Sequence, residues 1–353
     1  MAFMMRAIAP KAVDQEAKIV RIDFKFCVSS AQFAAKTIRA IHECPGMKTL
    51  HLEGEGVDVV GAKAIGRALE NQSSLENVIW RRIFNTIYDK ERIEILTYMG
   101  KGIIRANAKL VKFKMVDTAL GPIAVVGLQD LFESPCCLTL QELSLSNNCL
   151  GYIGAQLISG YIWNCFEKGL EVEKPMKLEI LEYSNNQLGD KGVSFLSKLL
   201  EKLESLISID LSKNRIGFDG MVDLSVAIYS NPLLVRLVLD DNRLSEFGVI
   251  LLFRCLQSLQ NLQTLSLRRC FLISEDVRLL AASLEKNCPN VRRIDLSFND
   301  IEEGFDALID VMEKKMFFED LDISYNHVCP KVEGALRSRI LRLKKIKSMN
   351  EKK

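Results

Sequence analysis

The chain has 353 residues, 48% of them hydrophobic and 26% charged, with a formal net charge of +2. That composition excludes a disordered chain, and the near-balance of charge excludes bulk electrostatics as a basis for nucleic-acid or membrane binding. Length alone would allow two or three domains, but a repeated pattern overrides that expectation, because stacked repeats form one elongated unit.

The N-terminus, MAFMMRAIAPKAVDQ, holds an apolar run broken by Arg6 and Pro10, too short for a secretory signal. No run approaches the length of a membrane-spanning helix, so cytoplasmic residence is expected. The ten cysteines are irregularly spaced, which reads as reduced thiols rather than a disulfide framework. Cys136-Cys137 has no second pair at metal-site spacing, so neither zinc nor any other metal is expected, and no cofactor. Residues 1–46 read as an N-terminal cap covering the first core layer of a stack. In it, Ile22, Phe24 and Phe26 alternate as in a strand, and Phe33, Ile38 and Ile41 suit a short amphipathic helix.

From Met47 the chain repeats. The stretch LQELSLSNNCLG places Leu140, Leu143, Leu145, Asn148 and Leu150 in the pattern LxxLxLxxNxL, the signature of a leucine-rich repeat. The residue opening each LxL core falls at Leu50, Val78, Phe113, Leu143, Leu181, Ile209, Leu237, Leu265, Ile294 and Leu321, at separations of 28, 35, 30, 38, 28, 28, 28, 29 and 27. A period near 28 is the long, helix-containing class. The expected fold is therefore α/β: a leucine-rich-repeat solenoid (horseshoe) of the ribonuclease-inhibitor-like kind, with parallel strands concave and helices convex. About ten repeats fill residues 47–335. Val60, Ala64, Ile65, Ala68 and Leu69 mark one helix, and Met221, Leu224, Ala227 and Ile228 another. The asparagine slot holds Asn148, Asn186, Asn214, Asn242, Asn299 and Asn326, with Cys270 taking it once; these amides are structural, satisfying loop backbone groups.

The two long steps contain RRIFNTIYDKERIEILTYMGKGIIRANAK and GYIWNCFEKGLEVEKPMK, expected as loops or longer helices at an edge. Residues 336–353 form a basic tail. It reads either as a solvated terminal helix with a frayed end or as an electrostatic, nuclear-import-type patch.

No phosphate-cradling glycine loop, GxSxG or HExxH is present, and His42, His51 and His327 lie in separate repeats. The outward strand positions are a protein-binding surface instead. Their charge is uneven: Arg81, Arg82, Lys112 and Lys114 in the N-terminal half, then Asp210, Asp240, Asp241, Asp295 and Asp322, interrupted by Arg268 and Arg269. The acidic stripe is either a steering surface for a basic partner or a solvated face.

The order of the repeats resembles the leucine-rich-repeat domain of the Ran GTPase-activating proteins. MKTLHLEGEGVDVVGAKAIGRAL, LVKFKMVDTALGP, CLTLQELSLSNNCLG, NPLLVRLVLDDNRLSEFG and LSLRRCFL carry the resemblance, which runs from about Met47 to Val328. It implies a protein that binds GTP-bound Ran on its concave face or rim and stimulates hydrolysis in nucleocytoplasmic transport, without an arginine finger. On that reading the chain is an activator of a partner enzyme rather than an enzyme, and a monomer. It resides in the cytoplasm, with the nuclear envelope as a further station. The family's rim asparagine, which frees Ran's own glutamine to orient the attacking water, matches Asn147, and its nearby aspartate matches Asp117. The departures at the rim each remove a cation, and the tail departs in the opposite sense. Ile87, Asn185 and Gln187 stand where the family has arginines, Asp89 where it has a basic residue, and the tail is basic where the family's is acidic. Arg81, Arg82 and Lys90 lie close enough to the missing arginine to serve as partial substitutes, and Asp210, Asp240 and Asp241 complete the expected partner surface. The alternative is a catalytically degenerate scaffold that binds Ran or another protein without stimulating hydrolysis.

Overall fold

The computed structural model describes residues 12–84 and 86–350, with side chains to 347. The apolar N-terminal run, Asn85 of the Phe84–Ile87 turn and the last residues of the basic tail lie outside the described residues. Two compact units divide the chain, 12–148 with 160–176, and 149–159 with 177–350.

In the first unit, a short β1 (Val13–Asp14) pairs antiparallel with β2 (Ile19–Asp23). Parallel strands β3 (Thr49–Glu53), β4 (Asn77–Arg81), β5 (Lys112–Val116) and β6 (Glu142–Ser144) follow in chain order. Leu50, Val78, Phe113 and Leu143 occupy one register position, as the repeat spacing requires. The cap joins the same register one strand earlier: Val20 pairs with Leu50 and Ile22 with Leu52. Here the expected alternation fails after Ile22. Asp23 accepts a hydrogen bond from the Lys25 N–H at 3.0 Å, which ends the strand and turns Phe24–Phe26 into a 3-10 turn. Phe24 then packs its ring 5.9 Å from that of Phe33. Phe33 and Ile41 are buried on helix α1 (Ser30–Glu43), whereas Ile38 is only half-buried.

Helix α2 (Val59–Leu69) buries Ile65, Ala68 and Leu69, but Val60 is 78% exposed. It sits in the first turn, where Asp58 caps the Gly61 N–H at 2.6 Å and the buried stripe runs instead through Gly61 and Ala62. The 35-residue step becomes helix α3 (Asp89–Arg105). Glycines bring α2 and α3 together: a Cβ at Gly102 would lie 2.1 Å from the Gly66 carbonyl oxygen. Helix propensity alone would make Gly102→Ala stabilising by about 0.5–1 kcal/mol. The clash is with backbone, so the expected result is a loss of about 1–3 kcal/mol, read by denaturant unfolding. A gain would refute the close approach. Short helices α4 (Gly121–Ala124) and α5 (Gln129–Phe132) fill the next step, and the 38-residue step carries α6 (Gly151–Glu171).

The second unit repeats more regularly. Strands β7 (Ile180–Glu182), β8 (Ser208–Asp210), β9 (Arg236–Val238), β10 (Thr264–Ser266), β11 (Arg293–Asp295) and β12 (Asp320–Asp322) are all parallel. Leu181, Ile209, Leu237, Leu265, Ile294 and Leu321 share one register position. Helices α7 (Gly189–Leu203), α8 (Phe218–Tyr229), α9 (Glu246–Cys255), α10 (Ser274–Lys286) and α11 (Phe305–Lys314) alternate with them. Met221, Leu224, Ala227 and Ile228 are all buried on α8. Residues 336–347 of the basic segment continue α12 (Pro330–Asn350), burying Leu336, Ile340 and Leu343 and exposing Arg342 and Lys345.

Asparagine ladders hold the loops. Asn148 donates from Nδ2 to the Met115 and Leu145 carbonyls at 2.6 and 2.9 Å, and its Oδ1 accepts from the Thr118 N–H at 3.0 Å. Asn214, Asn242 and Asn299 make the same bonds in the second unit and are buried. Cys270 fills its slot with the thiol 3.2 Å from the Leu239 carbonyl oxygen, and burial pushes that thiol up to about 12.

Candidate functional site

Each repeat bends sharply after its strand, and the residue just before the asparagine slot takes a left-handed backbone. Asn147 (φ 60°) has this conformation in the first unit, and Asn185, Lys213, Asp241, Arg269, Phe298 and Tyr325 in the second. Asparagine tolerates that region better than other side chains because its short amide can bond locally. Asn147 is exposed while the next residue, Asn148, is fully buried. The backbone therefore sorts two adjacent asparagines into one facing solvent and one facing the core.

The loop after β5 lies against Asn147's loop. The Asp117 N–H donates to the Ser146 carbonyl at 3.2 Å, and Asp117 is itself left-handed, with φ 55°. Its carboxylate is taken by Arg81, whose Nε and Nη2 both lie 2.8 Å from Oδ2. Arg82, also left-handed, donates to Glu53 Oε1 at 3.0 Å. Glu53 collects further charge from Arg21 and Arg81, each at 3.8 Å, and His51 Nε2 lies 3.7 Å away. Burial and Arg21 lower the His51 pKa against the pull of Glu53, so the imidazole is neutral at pH 7. Lys112 and Lys114 both reach Glu142, at 2.6 and 2.5 Å. Burial pushes the Glu142 carboxyl up, but the two lysines outweigh it and hold the pKa below its ordinary value.

The cations read from the sequence as available to a partner are thus largely answered within the first unit. Arg81 and Arg82 are committed to Asp117 and Glu53, and Lys112 and Lys114 to Glu142. Each pair has a partly exposed arginine or lysine, so re-pairing costs about 0–1 kcal/mol. Lys90 sits exposed in the first turn of α3. Nearby, Ile87 is 79% exposed and Tyr88 66%. Sequence reasoning missed Arg92, which pins this loop: Nε donates to the Thr86 carbonyl at 3.1 Å and Nη1 to the Ala119 carbonyl at 2.8 Å, with the guanidinium over the Phe84 ring. It missed Glu53 and Glu142 as well. Both were visible down the repeat columns, since Glu53 pairs in register with Arg81 and Glu142 with Lys112.

In the second unit, the expected acidic stripe is not one column. Asp210 aligns with Val238, Ser266, Asp295 and Asp322, while Asp240 and Asp241 lie beyond the end of β9. Asp240 stands two residues past that column, where its Oδ1 accepts from the Ser266 hydroxyl at 2.6 Å and the Arg268 N–H at 3.0 Å, bracing the next loop. Burial raises its pKa despite those bonds, with Asp295 and Asp210 adding to the rise. Asp210 and Asp295 accept from Ser212 and Ser297, and Asp241 faces Arg269 at 3.3 Å. Arg268 and Arg269 in turn lie over the Phe298 ring, which stacks on Tyr325 at 4.1 Å. Among the described residues no group of three or more His, Cys, Asp or Glu is placed to hold a metal ion, and no helix is long and apolar enough to cross a membrane.

A family profile described as "Leucine Rich repeat" matches residues 136–159, 174–197 and 287–303. Ran GTPase-activating protein 1 of Xenopus laevis is 33% identical over 51% of this chain and 31% of its own length. Ran GTPase-activating protein 2 of Caenorhabditis elegans is 30% identical over 52% of this chain and 19% of its own. The Drosophila melanogaster Ran GTPase-activating protein is 30% identical over 49% and 29%. Over about half of its length the chain is similar to Ran GTPase-activating proteins. It spans less than a third of the length of these curated relatives. A Listeria monocytogenes internalin structure aligns over 92% of this chain and 86% of its own, at 15% identity and a TM-score of 0.47. The leucine-rich-repeat architecture is carried by the profile match and by the alternation of parallel strands and helices in each unit.

Proposed function

We propose that the chain is a GTPase-activating protein for Ran, with Asn147 as the residue that acts at Ran's nucleotide site. The observation that carries this reading is the placement of Asn147. It is an exposed amide at a left-handed bend, next to a Ser146 carbonyl that accepts from the Asp117 N–H, in a chain similar to three Ran GTPase-activating proteins. A fixed amide on a rigid repeat loop can bond to a switch segment of a bound GTPase and so leave the GTPase's own glutamine to orient water. Positioning of this sort is the principal contribution protein groups make to phosphoryl transfer. On this reading the reaction takes place in the partner's own nucleotide pocket. Asp117, Arg81, Arg82 and Lys90 make up the nearby partner surface, and Asp210, Asp240 and Asp241 a second acidic one that steers encounter. The protein acts as a monomer in the cytoplasm, with the nuclear envelope as a further station.

A specific observation favours a second reading, a scaffold that binds without stimulating. Ile87 presents an exposed aliphatic side chain, and the two arginines beside it are already paired with carboxylates. Single-turnover hydrolysis of GTP on Ran, with the chain in excess at high micromolar concentration, separates the two. Acceleration supports the activator. Tight binding to Ran loaded with a non-hydrolysable nucleotide, without acceleration, supports the scaffold.

A further inference from the structure

We infer that Arg81 is a positioning residue that sets the direction of Asn147 through Asp117, an inference that rests on the reading of the chain as a GTPase activator. A run of hydrogen bonds and ion pairs connects the three within the first unit. Arg81 ends β4 and directs two guanidinium nitrogens at one oxygen of Asp117, each at 2.8 Å, while its third lies 3.8 Å from Glu53. Asp117 is held at φ 55°, a region that a residue with a Cβ leaves when nothing restrains it. Its N–H caps the Ser146 carbonyl, the peptide group that leads directly into Asn147, and the next N–H, that of Thr118, is taken by Asn148. The Asp117-Thr118 segment therefore holds both neighbours of Asn147, Ser146 by its backbone carbonyl and Asn148 by its side-chain amide oxygen. The Asn148 grip is buried and fixed, whereas the Ser146 grip depends on Asp117 keeping its strained conformation. Arg81 supplies the side-chain restraint for that, and Glu53, held also by Arg82, fixes the Arg81 side chain in turn.

A merely stabilising ion pair would give a different signature. Its loss would lower stability slightly and leave the bound geometry alone. Loss of a positioning residue leaves the fold and misplaces the amide, which lowers turnover more than partner affinity.

The test uses the full chain with the variants Arg81→Ala, Arg81→Lys and, as a control, Arg105→Ala, which breaks the Arg105–Glu70 ion pair elsewhere in the same unit. In stimulated hydrolysis on Ran, Arg81→Ala is expected to lower kcat about 10-fold with KM within about threefold. Arg81→Lys, which keeps one bond to Asp117, recovers part of the loss, and Arg105→Ala matches wild type. In amide spectra of the free protein, Arg81→Ala shifts the backbone resonances of Asp117 and Asn147, and Arg105→Ala leaves both in place. Unmoved Asn147 and Asp117 resonances in Arg81→Ala overturn the inference whether or not the chain is an activator. Failure of the wild-type chain to accelerate hydrolysis overturns the activator reading, and the spectra still decide the Arg81 linkage.

Discussion

Asn147→Gly is expected to lower stimulated GTP hydrolysis on Ran by about 100- to 1000-fold, the range seen when one pre-placed polar group is removed from a reacting centre. Glycine is the informative replacement here. Asn147 has φ 60°, so alanine would add left-handed strain to the loss of the amide, whereas glycine occupies that region freely. Any fall in rate with Asn147→Gly then belongs to the side chain. Asn147→Asp is the companion variant, because it keeps the shape, loses the amide donor and brings a charge. If a donated hydrogen bond to the switch segment is what matters, Asp falls as far as Gly. Thermal unfolding should place both within a few degrees of wild type, because Asn147 is exposed. A glycine variant with wild-type kcat would remove Asn147 from the mechanism and leave the scaffold reading.

The repeat frame was legible because its signal is a register, and a register is enforced in every strand. A one-residue slip would turn the buried set to solvent, so the ten LxL openings line up as their spacing requires within each unit. Where a side chain overrode periodicity the reading failed. Asp23 capped a turn and took Phe24 and Phe26 out of the strand, and the capped start of α2 left Val60 outside the buried stripe. The candidate site was legible in part for the same reason. The split between Asn147 and Asn148 follows from repeat position, but the charges around it were read along each strand, and ion pairs form between strands. Arg81 and Asp117 are 36 residues apart, and Arg82 and Glu53 are 29 apart. Only reading across the columns brings such partners together, and the bonds that Arg92 makes to two backbone carbonyls have no charged partner to point to them.

The buried asparagines of the repeat slot carry the largest expected loss of stability. Asn214 is fully buried, donates from Nδ2 to the Tyr183, Leu211 and Ser212 carbonyls at 2.9, 3.0 and 3.2 Å, and accepts from the Asn186 N–H at 3.0 Å. Asn214→Ala leaves those backbone groups without their partner and opens a space flanked by two loops. Each unsatisfied buried group costs about 1–3 kcal/mol, and partial relaxation brings the expected total to about 3–5 kcal/mol. Two comparisons make the cause specific. Asn326 makes equivalent bonds to Leu296 and Ile323, but it is only part-buried, so water can replace the lost amide and Asn326→Ala should cost about 1–2 kcal/mol. Cys270 shows that a thiol is tolerated in the slot, so Asn214→Cys should fall between wild type and Asn214→Ala. Guanidinium unfolding of the three variants checks the order. Equal losses for Asn214→Ala and Asn326→Ala would mean that buried backbone satisfaction is not what these amides contribute.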